Sequence, residues 1–86
     1  MTPEEFETIM EGDDDLMNID DDNAFVGLQI IRKYLPKSGI EGADHDVIYS
    51  ASVEKLLEAG ITKEDAIELR RLNWMIEDGE YLACFV

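Results

Sequence analysis

The closing stretch Trp74-Met75-Ile76-Glu77-Asp78-Gly79-Glu80-Tyr81-Leu82-Ala83-Cys84-Phe85-Val86 constrains the fold more than any other part of the chain. Asp-Gly is the pair that a two-residue type I′ turn selects, because both central residues need positive φ. With Glu77 opposite Glu80, Ile76 faces Tyr81 and Trp74 faces Ala83 on one side of the ribbon, while Met75 faces Leu82 on the other. Both faces are therefore apolar, and a two-stranded ribbon is marginal in water. The ribbon needs another strand and a covering layer. Asp46 to Ala51, β-branched and aromatic between turn residues, supplies the strand.

Helix signals elsewhere supply the layer. Thr2 as N-cap, Pro3 at the first helical position, Glu5 completing a capping box and Gly12 as a stop predict a helix over residues 1–12. Phe6, Ile9 and Met10 share one face of it, which forces the acids between them outward. A second helix runs from about Asn23 to Tyr34 or Leu35, capped by Asp22 or Asn23 and stopped by Pro36. Ala24, Phe25, Leu28, Ile31 and Leu35 line one side, with Val26, Ile30 and Tyr34 on another, as in a central helix. Lys37 to Asp44 reads as a loop. Ser52 caps a short helix over Val53 to Ala59, closed by Gly60 and Ile61. Thr62 and Asp65 then box the start of a helix from Lys63 to about Leu72, with Ala66, Ile67, Leu69 and Leu72 inward. The expected fold is α+β. It is a small single domain over residues 1–86, with about four helices on a three-stranded antiparallel sheet and a C-terminal β-hairpin. An acidic N-terminal segment, 1–22, precedes the α+β body, 23–86. The second sheet face is left partly apolar and a strand edge open.

Charge carries the functional argument. Ten of the 21 acidic side chains lie in residues 1–22, where there is no Lys or Arg, and the chain as a whole has a net charge of −14. Such a field disfavours direct contact with nucleic acid or acidic lipid and favours basic protein surfaces. No apolar run is long enough to cross a bilayer, and the acidic start is unlike a signal peptide, so a cytoplasmic setting is expected.

Chemistry-bearing constellations are sparse. Cys84 is the lone cysteine and His45 the lone histidine, which excludes an internal disulfide and a His/Cys zinc site. A calcium-loop frame starting at Asn18 has Asn23 at the glycine position and Gln29 at the bidentate glutamate position; one starting at Asp13 has Met17 at a ligand position. His45, between Asp44 and Asp46, has no credible nucleophile in sequence, and no Gly-rich phosphate loop is present. The helix pair around Gly60-Ile61 has the order of a helix-turn-helix, but Lys63, Arg70 and Arg71 are offset by Glu64, Asp65 and Glu68. No catalytic residue, metal ligand or cofactor is expected.

Residues 72–86, together with His45-Asp46-Val47-Ile48-Tyr49, resemble small acidic proteins of unassigned function from phages and mobile elements. Such proteins include inhibitors of host defence nucleases and other blockers of nucleic-acid machinery, and the resemblance implies no catalytic residues.

The leading expectation is a non-enzymatic acidic module that binds a basic protein surface, as a nucleic-acid mimic or inhibitor would. Its binding residues would be Glu4, Glu7, Glu11, Asp13, Asp14, Asp15, Asp20, Asp21 and Asp22. The alternative is an interaction or oligomerisation module using the C-terminal hairpin, with the edge of Tyr81 to Val86 or the exposed sheet face around Trp74, Met75 and Leu82 as its contact. A weak divalent-cation binder is a further alternative.

Overall fold

Each helix starts at a side chain that accepts a backbone N–H. The computed structural model describes residues 1–11 and 22–85. Within them, Thr2 precedes α1 (Pro3–Met10), Asp22 precedes α2 (Asn23–Tyr34), Ser52 precedes α3 (Val53–Glu58) and Thr62 precedes α4 (Lys63–Arg71). The Thr2 hydroxyl accepts from the Glu5 backbone, and the Glu5 carboxylate accepts from the Thr2 N–H at 3.2 Å, which is the expected capping box. The Gly12 stop lies outside the described residues. At the end of α3, Gly60 has φ +87°. Its N–H donates to Leu57 and that of Ile61 to Leu56, a Schellman closure that tucks Ile61 into the core.

Four strands, β1 (Gly42–Asp44), β2 (Val47–Ser52), β3 (Trp74–Glu77) and β4 (Tyr81–Phe85), form an antiparallel sheet in the order β1-β2-β4-β3. The fold is α+β as expected, with one strand more. β1 occupies part of the stretch read as a loop, turning at His45 (φ +53°) to pair Gly42 with Tyr49 and Asp44 with Val47. The hairpin register also differs by one residue. Asp78 and Gly79 both have positive φ, as a type I′ turn requires, but Glu77 pairs with Tyr81, not with Glu80. The Glu80 N–H closes the turn onto the Glu77 carbonyl at 3.1 Å, while the Glu80 carbonyl accepts the N–H of Val53 at 2.8 Å, so Glu80 is an extra residue between the paired Glu77 and Tyr81. Because side chains alternate, this single step brings Leu82 to the face of Trp74 and Ile76, and Tyr81 to the opposite one.

All four helices cover one face of the sheet. Phe6 and Met10 of α1, Ile31 of α2, Leu56 of α3, and Ala66 and Leu69 of α4 form one buried cluster with Trp74, Leu82 and Cys84. Phe25 and Ile67, both expected inside, are exposed at 58% and 40%. On α2 the fully buried positions are Gly27 and Ile31, with Val26, Leu28, Ile30, Tyr34 and the capping Leu35 packed partly buried against the same core, so the wide stripe is present with Phe25 outside it. Gly27 is buried because the Trp74 indole lies across it, and the indole N–H donates to the Asn23 carbonyl at 3.0 Å.

A polar joint ties α2 to α4. The Tyr34 hydroxyl donates to the Asp65 carboxylate, Lys33 pairs with the same carboxylate, and the Thr62 N–H donates to the Tyr34 oxygen at 3.3 Å. Burial pushes the Asp65 carboxyl up, but the Lys33 ammonium and the Tyr34 hydroxyl outweigh it and hold the group below its ordinary 3.8. A lowered folded value means that the joint stabilises fully above the unfolded pKa and is lost as pH falls through the folded one. Urea denaturation across pH 2–7 is expected to show an acid-sensitive component below about pH 4, absent in Asp65→Asn. Identical acid limbs in the two proteins would disprove the role of this carboxylate.

Candidate functional site: an acidic helix face and groove

The spacing of Phe6 and Met10 decides how α1 presents its acids. Both side chains are buried against α4 and β3, so Glu4, Glu7 and the capping residue Glu11 are exposed to solvent. Glu5 is engaged differently. Its carboxyl lies below the usual range, first because it accepts the Thr2 backbone N–H and then because Lys63 of α4 stands 3.1 Å away. Glu5 thus fastens α1 to the body, while Glu4, Glu7 and Glu11 have no role of that kind in the described hydrogen bonds and ion pairs.

Of the remaining expected binding residues, Asp22 caps α2 by accepting the Phe25 N–H at 3.1 Å, a structural task that leaves the residue exposed. Asp13, Asp14, Asp15, Asp20 and Asp21 lie outside the described residues, as do residues 13–21 of the calcium-loop frame from Asp13 and residues 18–21 of the frame from Asn18, whose Asp22 and Gln29 stand in the cap and body of α2.

Sequence reasoning missed a set of acids that folding brings beside α1. A groove of about 610 Å³ opens between α1, α3 and the β3–β4 turn. Its carboxylates are Glu7 from α1, Glu54 and Glu58 from α3, and Glu80 from the turn, with Val53, Leu57 and Tyr81 as apolar wall. No Lys or Arg lines it. Glu54 and Glu58 are four apart on one helix, so they share a face, and the Ser52–Tyr81 pairing together with the Val53–Glu80 hydrogen bond brings the turn alongside them. Nothing in a one-dimensional charge count carried that meeting.

The structure moves the edge that the hairpin alternative could use from β4 to β3, which is the outer strand of the sheet. β4 pairs with β2 on one side and β3 on the other, so Tyr81 to Phe85 present no free edge. Trp74 and Leu82 are fully buried on the helix-covered face, a direct result of the register step; Met75 is half-buried, and Tyr81 is 45% exposed on the other face.

The remaining chemical candidates have ordinary environments. His45 is exposed at a turn, its Nε2 3.6 Å from Asp44 Oδ1. Burial, helped by Asp22, pushes the Cys84 thiol up to about 11, so it is protonated at neutral pH, and its Sγ donates to the Leu72 carbonyl at 3.9 Å. Among the described residues no group of three His, Cys, Asp or Glu side chains is placed to hold a metal ion. No helix among them is long and apolar enough to cross a membrane. No protein-family model, curated protein or solved structure matches the chain.

Proposed function

We propose that this chain is a non-enzymatic acidic module that docks on a basic protein surface through the outer face of α1 and the groove beside it. The observation that carries the reading is that Glu4, Glu7 and Glu11 are exposed on a helix whose other side is anchored by Phe6 and Met10. Glu4 to Glu11 spans about 10 Å of helix axis, over which a DNA duplex presents roughly six phosphates. The surface it suits is therefore one built to hold a nucleic-acid backbone, and the module acts by occupying it.

The test separates a located site from bulk charge. A protein captured from cell extract at low salt is measured against two triple variants of equal net charge. One carries Glu4→Gln, Glu7→Gln and Glu11→Gln, the other Asp46→Asn, Glu64→Gln and Glu68→Gln. The first is expected to lose at least tenfold in affinity and the second little, with duplex DNA competing for the captured protein. Equal losses in the two variants would show that only total charge matters and would remove the proposal.

A further inference from the structure

The sheet has a second face that no described helix covers. Residues paired across antiparallel strands share a face, which puts Tyr49, Ala83 and Met75 in one row, with Val47 and Tyr81 in the rows on either side. None of these five belongs to the helix-covered cluster, and Ala83, at the centre of the row, is itself fully buried beneath its neighbours. Tyr81 is 45% exposed; Val47, Tyr49 and Met75 are half-buried. A cavity of about 480 Å³ lies over this face between Tyr49 and Tyr81.

Charge around the face is mainly acidic, with Lys55 the single base at the cavity rim. Residues 41–52 and 74–85, which hold all four strands and their turns, contain Glu41, Asp44, Asp46, Glu77, Asp78 and Glu80 but no Lys or Arg. Exposed strands are commonly protected by lysine, and this sheet has none. Six of the seven basic residues belong to α2, α4 and the segment after α2; Lys55 of α3 is the one that reaches the cavity rim. Aromatic and thioether side chains within an acidic rim match a segment that is apolar and cationic together, with arginine stacking on the tyrosine rings. A second copy of the chain would set acidic rim against acidic rim, which the same field opposes.

We infer that the sheet face left uncovered among the described residues is the apolar anchor for an arginine-bearing segment of the basic partner, with Tyr49 and Tyr81 as its principal contacts. The inference rests on the reading of the chain as a module for a basic protein and gives that partner a second contact. Tyr81 also lines the acidic groove, so α1 and the sheet face are continuous around one residue.

Amide chemical-shift mapping on the full chain tests this with three short peptides, alternating Arg with Leu, Arg with Ser, and Glu with Leu. The Arg/Leu peptide is expected to shift the amides of Val47, Tyr49, Met75, Tyr81 and Ala83 as well as those of α1, the Arg/Ser peptide only α1, and the Glu/Leu peptide neither. Tyr81→Ser, at a solvent-exposed ring, should weaken the sheet-face response at least tenfold while α1 still responds. Arg/Leu shifts confined to α1, or an equal sheet-face response to Arg/Ser or Glu/Leu, would overturn the inference and leave the α1 proposal standing. Concentration-dependent sheet-face shifts without peptide would name a second copy as the occupant and overturn it too. A sheet-face response without any at α1 would uphold the inference and count against α1.

Discussion

Alanine at Gly27 is expected to lower stability by about 1–3 kcal/mol, even though alanine is the better helix former by about 1 kcal/mol. A Cβ at this position would overlap the Nε1, Cε2 and Cδ1 atoms of Trp74, so the indole must move or α2 must lift from the sheet. Either movement breaks the hydrogen bond from the indole to the Asn23 carbonyl and opens the packing around a ring with no exposed surface. For a chain of this size the midpoint temperature should fall by roughly 5–20 °C. Gly39→Ala is the control, because nothing lies within 4 Å of a Cβ there. Trp74→Phe should recover part of the Gly27→Ala loss in a double-mutant cycle, since it shortens the ring that the methyl meets. Urea denaturation of the four proteins, followed by circular dichroism, measures the coupling. A Gly27→Ala protein as stable as the parent would refute the placement of Trp74 across α2.

The residues involved show why some of this architecture was legible and some was not. Thr2, Asp22, Ser52 and Thr62 act within three residues of themselves, so the four helix starts could be read from local chemistry. The Gly60-Ile61 closure and the Asp78-Gly79 turn are equally local. β1 is different, because Gly-Ala-Asp has no strand preference and becomes a strand only by pairing with β2. The hairpin register goes with the pairing of β4 on β2 and the Val53–Glu80 hydrogen bond, contacts more than twenty positions apart in sequence, and a one-residue step there exchanges Leu82 and Tyr81 between the two faces. The site divides in the same way. The exposed acids of α1 follow from the spacing of Phe6 and Met10, whereas the groove acids Glu54, Glu58 and Glu80 meet only after α3 and the turn have docked.

Truncation of Phe6 has the larger expected effect, because it couples the core to the acidic face. The ring is fully buried within the cluster that contains Trp74 and Leu69, and removing such a ring costs about 3–5 kcal/mol. α1 has only eight residues, far too few to persist as an isolated helix, so its capping box and the exposed Glu5–Lys63 pair cannot hold it without tertiary anchors. Phe6→Ala should therefore release α1 ahead of the body. Hydrogen exchange is expected to show α1 amides at unfolded-like rates, while protection persists in β2 and β4. Affinity for a basic partner should weaken as well, although every carboxylate is still present, because Glu4, Glu7 and Glu11 would no longer be held in one array. Phe6→Leu refills most of the volume and should restore both properties. Undiminished α1 protection in Phe6→Ala would disprove the anchoring role. Full affinity alongside lost protection would show that the acids act as a flexible charge cloud and not as a rigid face.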